Sequence, residues 1–130
     1  MVVDDSAAIR ESLRSCLAVE RDLEIVGDAD DGRKALELAH RLKPDVLVLD
    51  NSMPEMSGVD VARELSRSHP EITIIVYTSD DTCSRSAIAA GAAAVITKDE
   101  PVALLVDSIR TLSKERAAMS TGSALSELGR

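Results

Sequence analysis

Two runs in this chain are apolar almost without interruption: Val46-Leu47-Val48-Leu49, and Ile72 to Tyr77 with a single Thr73 inside it. Successive residues of a strand face opposite sides of a sheet, so a strand with one wet face alternates apolar and polar residues. A strand without that alternation is covered on both faces. Such strands belong to parallel sheets sandwiched between helices. Parallel neighbours also need long crossover connections, so these two runs demand helical segments between and around them.

The rest of the chain supplies those segments. Met1 to Val3 is predicted as a short first strand. Ile9, Leu13, Cys16 and Leu17 recur at helical spacing and predict a helix over about Ser6 to Val19. Leu23 to Val26 reads as a second strand. Gly32 to Leu42 reads as a helix with Asp31 as its N-cap and with Leu38, Ala39 and Leu42 inward, and Pro44 follows it. A third helix is predicted over Gly58 to Ser68, with Val59, Ala62 and Leu65 inward. Ser84 to Ala90 reads as a small-residue helix ending at Gly91. Ala94 to Thr97 is the fifth strand, and Pro101 opens a last helix ending near Arg116. Five βα units predict an α/β fold, a parallel sheet with helices on both faces. Residues 117–130 read as a C-terminal tail, so the folded unit is expected over 1–116.

The core must be aliphatic, because Tyr77 is the only aromatic side chain. The net charge of −8 argues against a surface that binds nucleic acid directly, which needs clustered Lys and Arg. Cys16 and Cys83 are far apart and form no CxxC pair, so they read as idle thiols of a reducing compartment. The opening Met-Val-Val-Asp-Asp is not a secretory leader, and no apolar stretch is long enough to span a bilayer. A cytoplasmic location is expected, with no membrane partner.

Open parallel sheets bind ligands outside the carboxyl ends of their strands. The first strand ends at Asp4-Asp5, the third at Asp50, the fourth at Thr78-Ser79 and the fifth at Thr97-Lys98. Singly, each has an ordinary structural explanation: an Asp after a strand caps a helix or forms a turn, a Thr favours strands, and a Lys is solvated. Jointly, they bring three carboxylates, a hydroxyl and an ammonium to one sheet edge. Carboxylates that close repel one another unless a cation lies among them, and Mg²⁺ suits oxygen ligands while leaving room for a phosphate. An Asp carboxylate can itself accept a phosphoryl group.

With these motifs in order, the chain resembles the receiver domains of bacterial two-component response regulators over nearly its whole length. The matching pieces are Asp4-Asp5, Val-Leu-Val-Leu-Asp50, Met53-Pro54 with Gly58, Thr78-Ser79 and Thr97-Lys98. The stretches Leu23 to Gly27 and Lys98 to Pro101 look most like the LuxR-type, nitrate-regulator-like subfamily. The resemblance implies a flavodoxin-like five-stranded sheet of order 2-1-3-4-5. It implies Asp50 as the phosphoacceptor, Thr78 as the switching hydroxyl and Lys98 as the phosphate-binding ammonium. It further implies Mg²⁺ held directly by Asp5, Asp50 and the main-chain carbonyl of Ser52, with Asp4 acting through water. Implied partners are a histidine kinase or phosphotransfer protein, a second copy in a homodimer, and an effector: either a separate protein or a C-terminal DNA-binding domain, which the residues after the last helix are too few to form.

Val95, Ala94 (where Gly is frequent) and Asp99 depart from the family pattern, as does the short first strand. Val95 stands where an aromatic usually precedes the Lys, which implies an output step without an aromatic swing. Asp99 stands where a cis proline is frequent, and a non-proline cis bond costs about 3–4 kcal/mol, so a trans bond is the alternative. Three other readings compete. A receiver-like interaction module would work without phosphorylation. A haloacid-dehalogenase-type phosphatase would want a second Asp at position 52, which is Ser. A flavin-binding domain would want a Ser/Thr/Gly-rich loop where Asp4-Asp5 stands.

Overall fold

The computed structural model describes residues 1–128, with side chains through Met119. In chain order the elements are β1 (Val2–Val3), α1 (Ala7–Ala18), β2 (Asp28–Ala29), α2 (Gly32–Leu42), β3 (Val46–Leu49), α3 (Gly58–Ser68), β4 (Thr73–Thr78), α4 (Ser84–Ala89), β5 (Ala94–Thr97) and α5 (Val102–Leu128), with a 3₁₀ turn at Asp81–Cys83. The five strands form one parallel sheet of order β2-β1-β3-β4-β5. The strand pattern implies the parallel sheet, and the resemblance implies this flavodoxin-like order.

The unalternating strands separate two cores. Leu47, Leu49, Ile74 and Val76 face the side covered by α2, α3 and α4, where they meet Ala35, Ala39, Val61, Ala62, Leu65 and Ala87. Val48, Ile75 and Tyr77 face the other side and meet Leu13, Leu17, Leu105, Val106 and Ile109 of α1 and α5. Neighbouring residues of β3 and β4 thus serve opposite cores, which is why neither strand tolerates a polar alternation.

Helix starts follow local chemistry. The Ser6 hydroxyl accepts from the Ile9 N–H, Asp31 accepts from the Lys34 N–H, and Ser57 and Asp60 form a reciprocal capping box. Gly91, with φ of +113°, ends the α4 segment in a conformation that glycine adopts without strain.

Three expectations are corrected. The second strand falls on Asp28–Ala29, not on Leu23 to Val26. Register decides this: Val2 pairs with Asp28 and Val3 with Ala29, so the β1–β2 ladder falls on Asp28–Ala29. The last helix continues to Leu128 instead of stopping near Arg116. Ala117, Ala118 and Met119 are strong helix formers and no proline interrupts them. Leu42 is 38% exposed rather than inward, and Ala35 takes the buried place one turn after the N-cap.

Candidate functional site

The loops after β1, β3, β4 and β5 meet at the carboxyl edge of the sheet. Asp4 and Asp50 are buried there, at 2% and 4% exposure, beside a fully buried Thr78. Asp5 is exposed. One carboxylate oxygen from each of Asp4, Asp5 and Asp50 falls within 4.8 Å of the others. Lys98 reaches over them: its Nζ donates to Asp4 Oδ2 at 2.6 Å and lies 3.5 Å from Asp50 Oδ1. No cis peptide bond occurs among the described residues, so the Lys98–Asp99 bond is trans.

The backbone fixes each carboxylate. Asp4 Oδ1 accepts from the Ser6 N–H at 2.9 Å, and Asp50 Oδ1 accepts from the Ser52 N–H at 3.3 Å. The Asp50 carboxyl is held above its usual range, first by burial and then by the Asp4 charge; Lys98 and the Ser52 N–H oppose both. Burial works against the Lys98 charge. The hydrogen bond to Asp4 and the charges of Asp50 and Asp4 outweigh it, so the ammonium titrates above its ordinary value. A buried triangle of two carboxylates and one ammonium retains a net negative charge, with exposed Asp5 at its mouth. Oxygen donors of that charge and spacing fit a hard divalent cation such as Mg²⁺.

Thr78 lies next to the pocket, and its Oγ1 accepts from the Asp80 N–H at 3.4 Å. The Asp80 carboxylate is engaged elsewhere, accepting from the Thr82 N–H at 3.0 Å at the start of the 3₁₀ turn. Val95 is half-buried against the α2–α4 core, paired with Val76. Tyr77 belongs to the opposite core.

Two supporting residues, Arg10 and Asn51, carried no signal in the sequence pattern, and a third, Gly58, carried one without its physical reason. Arg10, on the second turn of α1, donates to the Asp4 carbonyl at 2.7 Å and lies 3.7 Å from Asp28. The Asn51 side chain accepts from the Val59 N–H at 3.0 Å, tying the β3 loop to the start of α3. Gly58 sits so close to that loop that a Cβ there would come within 2.8 Å of Asn51 Cα and collide with the Asp50 carbonyl. The sequence showed Gly58 as part of a motif; the close approach is its physical reason.

A five-stranded parallel sheet with three carboxylates, a hydroxyl and a lysine at one edge defines a phosphoacceptor class of signalling domain. The family model for the response regulator receiver domain matches residues 1–110, and the chain belongs to that family. It is 38% identical over 112 residues to the response regulator GacA of Pseudomonas viridiflava, a match covering 85% of this chain and 52% of that protein. The chain thus spans about half the length of the curated relatives it matches. Its backbone superposes with a TM-score of 0.80 on the signal receiver domain of the response regulator NarL from Mycobacterium tuberculosis, at 33% identity, covering 87% of this chain and 93% of that one. A LuxR-family DNA-binding response regulator from Staphylococcus aureus aligns with a TM-score of 0.81 at 26% identity, covering 86% and 95%. Accepting a phosphoryl group in two-component signalling is the function of this family.

Proposed function

We propose that Asp50 is the phosphoacceptor and that the chain relays a histidine kinase signal through the loops around it. The observation that carries this reading is the ammonium of Lys98 set between Asp4 and Asp50, with the three carboxylates converging below it. One oxygen of Asp50 is held by the Ser52 N–H, and the other attacks phosphorus. As the new O–P bond forms, the P–N bond to the donor imidazole breaks. Its electron pair stays on the imidazole nitrogen, which takes a proton from solvent.

Asp5, Asp50 and the Ser52 carbonyl would hold Mg²⁺ directly, with Asp4 acting through water; the ion when bound neutralises charge on the phosphoryl oxygens. The chain's own groups do the rest. Lys98 exchanges part of its bond to Asp4 for a phosphoryl oxygen. Thr78 turns its hydroxyl towards a second oxygen, drawing the Ser79-Asp80 loop with it. The domain assists its own Mg²⁺-dependent phosphorylation and dephosphorylation and is not a turnover enzyme for other substrates.

The receiver unit is placed at residues 1–116, with 117–130 outside its core; the family match to residue 110 supports that limit. The donor is a histidine kinase or phosphotransfer protein. The output partner is an effector protein, a second copy of the chain or a joined DNA-binding domain. No described helix is long and apolar enough to cross a membrane; the working compartment is proposed to be the cytoplasm.

The test is incubation with acetyl phosphate and Mg²⁺, read by phosphate-affinity gel. The wild type should shift, Asp50→Ala should not, and Asp5→Ala should lose most of the shift. Labelling of Asp50→Ala at the wild-type rate, or of Asp5→Ala without metal, would overturn the assignment.

A further inference from the structure

The chain has two histidines, 29 residues apart, and the fold brings them together. His40 lies in the last turn of α2 and His69 is the C-cap of α3. Both helices leave the carboxyl edge of a parallel sheet, so both end at its amino edge, across the domain from Asp50. His40 Nδ1 and His69 Nε2 are 3.1 Å apart, with ring centroids at 5.2 Å and planes inclined by 48°. Glu71 Oε1 stands 3.4 Å from the other ring nitrogen of His69, Nδ1.

We propose that His40 and His69 form a second metal site, a two-imidazole seat for a borderline divalent cation such as Zn²⁺ or Cu²⁺. Glu71 beside Nδ1 favours the proton on that nitrogen and the lone pair on Nε2, the nitrogen turned to His40, and binding of the ion moves the proton of exposed His40 from Nδ1 to Nε2. Metal-bound histidines are oriented this way by an outer carboxylate. Two nitrogens bonded to a tetrahedral ion at about 2.0–2.1 Å stand about 3.3 Å apart, so the rings need move only a few tenths of an ångström. The carbonyl-rich ends of α2 and α3 favour positive charge at this point. His69 is largely covered, its side chain 14% exposed, whereas His40 is open, so the ion keeps water on its remaining positions. Imidazole selects Zn²⁺ or Cu²⁺ over Mg²⁺, and the all-oxygen pocket at the far edge has the opposite preference. An ion seated here ties α2 to α3 independently of Asp50.

The test is titration of the full chain with Zn²⁺ in excess Mg²⁺, which occupies the carboxylates, reading the ring nitrogens by ¹H–¹⁵N correlation. With only two histidines, the spectrum of His40→Ala assigns both rings. Both rings should shift together as one equivalent binds. His40→Ala, at an exposed position, should weaken binding at least about tenfold, and Glu71→Gln about tenfold. Zn²⁺ that leaves His40 Nδ1 and His69 Nε2 unmoved would mean the rings share only a hydrogen bond. Affinity unchanged in His40→Ala would place the ion elsewhere. Either result overturns the proposal.

Discussion

Lys98 and Asp4 are 94 residues apart in sequence and 2.6 Å apart in space, joined across the mouth of a pocket that also buries Asp50. The ion pair links β1 to the loop after β5 before any phosphate arrives. In the proposed reaction, a phosphoryl group on Asp50 would therefore compete for Lys98 with an attachment that already exists.

Lys98→Ala should accordingly slow phosphorylation by acetyl phosphate about a hundred- to thousandfold, the scale of losing one donor aimed at developing charge. Two buried carboxylates would also lose their partner, costing about 1–3 kcal/mol without metal. Initial rates on a phosphate-affinity gel and urea midpoints check the two effects. Beryllofluoride-induced amide shifts near residue 98 should shrink in the same variant.

Asp50→Asn should stabilise the metal-free domain at neutral pH. The folded state holds the Asp50 carboxyl above its ordinary 3.8, burial first and Asp4 second. The fold thus favours the protonated form, and the wild type loses stability as pH rises from that ordinary value through the raised one. The variant should melt at a higher temperature than the wild type near pH 7, read by thermal denaturation followed by circular dichroism. Below pH 3.8 the two should converge. Adding Mg²⁺ at pH 7 should narrow the gap by binding the wild type.

Gly58→Ala should cost about 1–3 kcal/mol, the range for forcing an extra methyl into a packed site. The start of α3 would have to retreat from Asn51 and the Asp50 carbonyl, loosening the loop that follows Asp50. Thermal melts should show the loss, and phosphorylation should slow although no pocket side chain has changed.

Val95→Tyr should enlarge the response to beryllofluoride. Val95 packs against the α2–α4 core beside Val76 and has no ring to move when Thr78 does. In the wild type the amide shifts should stay within residues 78–91 and 96–100. A tyrosine at 95 adds an element with two packings, and the shifts should spread along β5.

Much of this was legible in the chain because it depends on local pattern. β3, α2 and α3 fall where periodicity places them, and Asp31 advertises the start of α2 on its own. β2 was not legible, because a strand exists only where it has a neighbour, and the Val2–Asp28 register decides that. The pocket carboxylates were legible from the order in which strands end. Arg10 and Asn51 were not, because each acts on a main-chain atom whose position only the fold supplies.

Tyr77 gives the molecule an optical asymmetry. With no Trp, its intrinsic ultraviolet emission comes from a single ring. That ring is packed in the α1–α5 core, one residue before Thr78 but on the opposite side of the sheet. A rearrangement confined to the Thr78 side leaves the ring's surroundings intact and the emission unchanged. A change that passes through β4 to the far side alters it. Fluorescence of the unlabelled protein therefore separates a signal carried on one face of the sheet from one carried through it.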